Sequence, residues 1–363
     1  MGTLNRRQFA VGLTAATIPS AIAAQRRTTL NFGARHYARG ARIPKGLEQH
    51  IRAQNESATR LNHALETDQK LVRALTAANP RAFSTVTSVP TSFSWLDQRR
   101  VTSVKNQGSC GSCWAFAAIG AYESAYLIAN KQEAVAGDGR DSVNVSEQQP
   151  LDCSFVEADC VLGGWHEIVF LYLQLEGGVG GDKYHYTGIK SQCTSNFGDR
   201  PYYVLNWGYV SDDKLAANLI SSDMALKQAI YQYGPVASAV ATSGWESYCK
   251  VDANGNPNPS WPKNGIFKGI PSSKLTQSSV DHEVLIVGWD GKLGVWIVKN
   301  SWDTTWGDGG YIKLPYQTNY IGFGASWVTA SPNAAVSATL QQKLNSLYRQ
   351  NAVLSFHPML QNL

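Results

Sequence analysis

The chain has 363 residues, 43% of them apolar and 11 of them Trp, enough to bury a substantial core spread over one to three domains. Past the N-terminus no uninterrupted apolar run reaches the roughly 18 residues of a membrane span. The net charge of +5 is unevenly divided: residues 1–89 hold 13 Lys/Arg and 4 Asp/Glu, whereas residues 90–363 hold 19 and 23. The basic excess therefore belongs to a leader, and the body lacks a basic cluster able to track phosphates, which argues against nucleic acid as a partner.

Residues 1–24 read as an export signal. A short basic region ends in Arg6-Arg7, an apolar stretch covers residues 9–22, and Ala21-Ile22-Ala23 supplies the small residues of a cleavage site. Asn5-Arg6-Arg7-Gln8-Phe9 resembles a twin-arginine signal, which implies bacterial export, to the periplasm or beyond the cell. Residues 47–77 then carry the clearest helical pattern in the chain, with Ile51, Ala58, Leu61, Leu65, Val72 and Leu75 on one stripe. Gln54 and Asp68 interrupt that stripe, so a long coiled coil is not expected. A Ser/Thr/Val/Pro stretch between residues 83 and 90 suits an exposed, cleavable linker.

The body is organised around Gln107-Gly108-Ser109-Cys110-Gly111-Ser112-Cys113-Trp114-Ala115-Phe116. A Gly-Ser loop delivers Cys113 to the start of an apolar, small-residue helix, where free N–H groups and the positive dipole end favour a thiolate. A C-x2-C pair alone would suit zinc, but two further ligands at short spacing are missing, so no metal is expected. The ten-residue block instead resembles the papain and cathepsin family of cysteine proteases. Residues 90–107, the block beginning Ser146-Glu147-Gln148, and Cys160-Val161-Leu162-Gly163-Gly164-Trp165 are similar to further segments of that family. So are Asp281-His282-Glu283 and Asn300-Ser301-Trp302, each at the edge of an apolar run.

Several expectations follow from the resemblance. The fold is α+β and two-lobed, with a helical left lobe, an antiparallel β-barrel-like right lobe and the active-site cleft between them. Residues 25–89 are a helical propeptide that lies along the cleft as an intramolecular inhibitor, residues 90–330 the catalytic domain, and residues 331–363 a C-terminal extension. Cys113 is the nucleophile and His282 its ion-pair partner; Asn300 orients the imidazole, and Gln107 with the Cys113 backbone N–H forms the oxyanion hole. Gly163 and Gly164 pair with an extended substrate chain, Trp302 shields the His–Asn bond, and the pocket for the residue two before the cut draws on Trp165, His166 and residues near Val328. Cys110 pairs with Cys160 and Cys153 with Cys193, leaving Cys249 unpaired, an arrangement suited to an oxidising compartment.

The residues themselves agree with that division. Short apolar runs at residues 236–240, 284–287, 295–298 and 311–314 read as strands of an antiparallel, partly closed sheet that follows the helical half. The loop from Asp252 fails as a calcium site because Pro257 stands where Gly is required and Lys263 where Glu is required. Leu340, Leu344 and Leu347 suggest a short amphipathic helix that Pro358 would end. The function expected is an exported, monomeric cysteine endopeptidase made as a zymogen and needing no cofactor. An inactive binding protein with the same cleft, or an acyl transferase using the same thioester, are the alternatives.

Overall fold

The computed structural model describes residues 37–66, 79, 82, 86–135, 139–194, 198–210, 218–251, 256–330 and 346. The export signal, the part of the leader stripe at Val72 and Leu75, and the helix expected around Leu340, Leu344 and Leu347 lie outside these residues.

Helix α2 (Cys113–Ala129) runs through the middle of the molecule. All its residues but Ile128 are buried, which is why its sequence is apolar on every side instead of striped. Gly120 lets it lie directly on the sheet, since a Cβ there would come within 3.1 Å of Leu285 Cδ2. Helices α3 (Gln148–Cys153) and α4 (His166–Leu175) complete the helical half. Ser146 Oγ accepts the Gln149 N–H at 3.0 Å at the start of α3. Disulfides join Cys110 to Cys160 and Cys153 to Cys193 across separations of 50 and 40 residues. Loops of that size correspond to about 4 kcal/mol of chain entropy each.

The second half is one antiparallel sheet. Strands β2 (Val204–Tyr209), β7 (Phe323–Ala330), β3 (Val236–Val240), β4 (His282–Asp290), β5 (Val295–Lys299) and β6 (Tyr311–Pro315) lie side by side in that order, and β1 (Ser92–Ser94) pairs with the far end of β4. Helix α5 (Asp223–Tyr233) precedes β3 and is capped by Ser222. The four apolar runs read from the sequence are β3 to β6. Strands β2 and β7 were not among them, although both are almost wholly buried.

Strand β2 is an edge of the sheet, and helix α1 (Leu47–Glu66) covers it. Leu47, Ile51, Ala58 and Leu61 are buried there. The polar break in the stripe has its own partner, for buried Gln54 donates from Nε2 to the Trp207 carbonyl at 2.9 Å. Asn55 Oδ1 accepts the Tyr209 N–H at 2.8 Å, and Asn206 Nδ2 donates to the Ala58 carbonyl at 3.0 Å. Side-chain amides thus take the place of a neighbouring strand along an edge that would otherwise be open. Replacing Gln54 by Ala leaves the Trp207 carbonyl buried without its donor. Urea unfolding of the full chain should then show a loss of about 1–3 kcal/mol, against at most about 0.5 kcal/mol for Arg52→Ala on the exposed face.

Candidate active site

Cys113 opens α2, and the loop before it is held from both halves. The Gln107 N–H donates to the Ser301 carbonyl at 2.9 Å, Ser301 Oγ–H donates to Gln107 Oε1 at 2.6 Å, and Tyr186 O–H donates to the Gln107 carbonyl at 2.8 Å. With its oxygen so held, the Gln107 amide nitrogen donates to the Cys110 carbonyl at 2.9 Å. His282 begins β4, with its Nε2 at 2.8 Å from Asn300 Oδ1, which also accepts the Ser301 N–H at 2.8 Å. Because an amide oxygen only accepts, Nε2 carries the proton, and Nδ1 is the nitrogen left to act. The Trp302 ring covers this pair with its centroid 4.5 Å from that of His282, and Trp245 and Trp306 stand behind it.

Residues 37–42 thread the cleft as extended chain. The Tyr37 ring stacks on Trp302 at 4.8 Å, and the Ala38 carbonyl accepts from both Gln107 Nε2 and Trp302 Nε1 at 3.1 Å. Farther along, the N–H groups of Gly40 and Ala41 donate to the Asp281 carbonyl at 3.1 and 3.2 Å. On the opposite wall the Gly164 N–H donates to the Gly40 carbonyl at 2.9 Å and its carbonyl accepts the Arg42 N–H at 2.8 Å, in parallel pairing. Arg39 pairs with Asp281 at 3.3 Å and with Glu246. Only bare backbone fits this slot. A Cβ on Gly40 would fall 1.9 Å from the Gly111 carbonyl oxygen, and one on Gly163, whose φ is +75°, would fall 2.2 Å from that of Gly40.

This corrects the expectation that a leader helix lies along the cleft. A helix about 10 Å across cannot enter a gap lined by Gly111 and Gly163, so an extended segment fills it and α1 docks beyond it. There His50 Nδ1 lies 3.2 Å from Glu167 Oε1, whose other oxygen accepts Tyr209 O–H at 2.6 Å. The sequence offered little sign of residues 37–42, which act through their backbone. Of the residues expected to line the pocket for the residue two before the cut, His166 is fully buried and bonded to Glu283, and Trp165 and Val328 are each 1% exposed.

With the cleft filled, burial governs the charges. The backbone N–H groups of Glu283, Gly40 and Trp114 near the Cys113 sulfur favour its anion, yet desolvation, followed by the nearby Glu283 carboxylate, pushes its thiol far above the ordinary range. Desolvation also pushes His282 down to about 3, against the Asn300 bond that favours the charged ring. Among the described residues Nδ1 has no hydrogen-bond partner. Burial thus disfavours charge on both groups and opposes the ion pair expected from the sequence.

Comparison with known proteins gives the same picture. The family described as papain family cysteine protease matches residues 89–331. A cysteine protease of the mite Blomia tropicalis is 31% identical over 254 residues, covering 68% of this chain and 67% of its own. Ananain of Ananas comosus is 33% identical over 253 residues, and the match spans 68% of this chain but 61% of ananain. Among solved structures, the bromelain protease from Ananas comosus in complex with the E64 inhibitor aligns with a TM-score of 0.52 at 29% identity, covering 66% of this chain and 99% of that one. The Amb a 11 cysteine protease of ragweed pollen, in its proform, aligns at 0.50 with 27% identity, covering 69% of each chain. None of these relatives is bacterial, so they lend nothing to the bacterial origin read from residues 5–9, which lie outside the described residues.

Burial of the sulfur has a chemical consequence that mass spectrometry can read. Iodoacetamide should modify Cys113 at least about tenfold more slowly in the full chain than in a chain whose residues 37–42 have been displaced, because only the thiolate reacts.

Proposed function

The chain belongs to the papain family of cysteine proteases, and from that premise we propose that it is an exported peptidase, made as a zymogen, that cuts peptide bonds through Cys113, His282 and Asn300. The observation that best supports this reading is the bond of His282 Nε2 to Asn300 Oδ1, which leaves Nδ1 unpaired among the described residues. When residues 37–42 leave, water returns to the cleft and the penalty on charge falls. The start of α2 then favours the anion on sulfur, and Asn300 favours the cation on the ring.

The Cys113 thiolate attacks the carbonyl carbon of the substrate. Its oxygen takes up negative charge between Gln107 Nε2 and the Cys113 N–H, the place where the leader now holds the Ala38 carbonyl. The imidazolium of His282 gives its Nδ1 proton to the departing amine as the C–N bond breaks, leaving a thioester. Water then attacks the thioester, His282 takes its proton, and the C–S bond breaks to release the acid and restore the pair. Gly163 and Gly164 align the substrate chain. The two disulfides and the export-signal reading of residues 1–24 support work outside the cytoplasm.

The leader is the inhibitor in this reading, since it occupies both Gly164 and the Gln107 amide. Its docking is tuned by acid. The hydrogen bond to Glu167 raises the His50 pKa against the opposing effect of burial. A raised histidine contributes fully below its unfolded value near 6.5 and loses that contribution as pH climbs through the folded value. The full chain should therefore gain activity more readily as the pH rises above neutrality than at pH 5.5, and His50→Gln should flatten that difference; a fluorogenic peptide assay across the range reads both.

Loss of Cys113 or His282 to Ala should abolish hydrolysis while leaving the fold intact by circular dichroism, and Gln107→Ala should slow it by roughly 10²–10³. Gly40→Leu places a side chain against the Gly111 carbonyl, so the uncut full-length variant should hydrolyse peptides where the parent does not. Full activity in Cys113→Ala would end the proposal.

A further inference from the structure

The groups of the candidate site are divided between the two halves of the molecule. Cys113 opens α2, whereas His282 starts β4 and Asn300 and Ser301 follow β5. Their spacing depends on what joins the halves beneath them. Lys299, the last residue of β5, is 7% exposed, and its Nζ reaches across to donate to Thr102 Oγ1 at 3.2 Å. The Thr102 hydroxyl donates in turn to Glu123 Oε2 at 2.6 Å, farther along the helix that Cys113 begins. Glu123 Oε1 accepts Lys105 Nζ at 2.9 Å and the Val145 N–H at 2.8 Å, and Lys105 also donates to Glu147 Oε1 at 2.6 Å. These charged side chains border a cavity of about 20 Å³ that Asn300 and Ser301 line as well.

We infer that Lys299 is a positioning residue: its ammonium, tied through Thr102 to Glu123, fixes the end of β5 against α2 and thereby holds Asn300 and Ser301, with His282 and Gln107, at working distance from Cys113. The inference rests on the peptidase reading above and adds to it a residue that touches no substrate. A buried ionic chain adds little net stability over apolar packing of the same volume; what it contributes here is one fixed arrangement of the two halves. Lys299 is faced by Glu123 on α2, by Lys105, Asp141 and Glu147 in the loops, by Glu283 on β4 and by Tyr311 opposite it on β6. Burial outweighs the attraction of Glu123 and pulls the Lys299 pKa from 10.5 down to about 8. The folded chain therefore gives up this proton before the unfolded chain does, and losing it does not weaken the fold. Above that pH the tie loses its charge while the protein stays folded.

The test measures kcat and KM of the full-length Gly40→Leu chain on one fluorogenic peptide between about pH 6 and pH 10, as it is and with Lys299→Met or Lys299→Arg added. Near neutrality Lys299→Met should lower kcat at least about tenfold with KM within about twofold, the loss that misplaced catalytic groups produce. Lys299→Arg keeps its charge, so it should recover most of that kcat and move the alkaline fall in kcat/KM upward by about one pH unit or more. In the parent that fall should centre on about pH 8 with an unchanged circular dichroism spectrum. Equal kcat in the Met variant and the parent, or an alkaline fall that Arg does not move, overturns the positioning role and leaves the peptidase reading standing. If either variant fails to fold, the parent decides, because kcat/KM undiminished to about pH 9.5 overturns the role. A parent that cuts no peptide at any pH overturns the peptidase reading and the role with it.

Discussion

Whether the Cys113 sulfur bears a charge depends on what lies over it. The helix terminus beneath it and the nearby backbone N–H groups favour the anion, whereas burial disfavours charge on the sulfur and on His282 alike. The reactive pair is thus controlled by hydration more than by the position of its own atoms. The other features of the site hold the imidazole and the Gln107 amide in place. Asn300 holds the imidazole, Trp302 roofs it, and Ser301 locks Gln107 from the strand that ends at Lys299.

The parts of this arrangement that could be read from the sequence are those in which side-chain identity and local pattern coincide. Cys113 follows a Gly-Ser loop and precedes an apolar helix; His282 and Asn300 stand at the edges of apolar strands. What escaped reading depends on partners remote in the chain. Gln54 looks like a flaw in an amphipathic stripe until its partner, the Trp207 carbonyl 153 residues away, is placed beside it. His166 and Glu283 are 117 residues apart and are meaningful only as a pair. Residues 37–42 bind chiefly through main-chain atoms, for which no residue type is a signature beyond the need for Gly40 to have no side chain.

The fold shows a similar split. Strands β3 to β6 announce themselves as apolar runs, whereas β2 is interrupted by Asn206, whose amide is used by α1, and β7 begins in a glycine-rich turn. The leader therefore does two jobs in different ways. Its extended part fills the cleft between Gly164 and Asp281, and its helix stands in for a missing strand at the edge of the sheet.

In the peptidase reading proposed above, the chain threaded through the slot and any chain to be cut would share Gly164 and the Gln107 amide, and that would limit how such a protein evolves. A mutation on the body that loosens the grip on residues 37–42 at those groups would also blunt catalysis, so variants with a weaker grip would have to arise elsewhere: in the leader, or along the distant face where α1 meets β2. Restraint and competence can drift apart only on ground that no substrate touches.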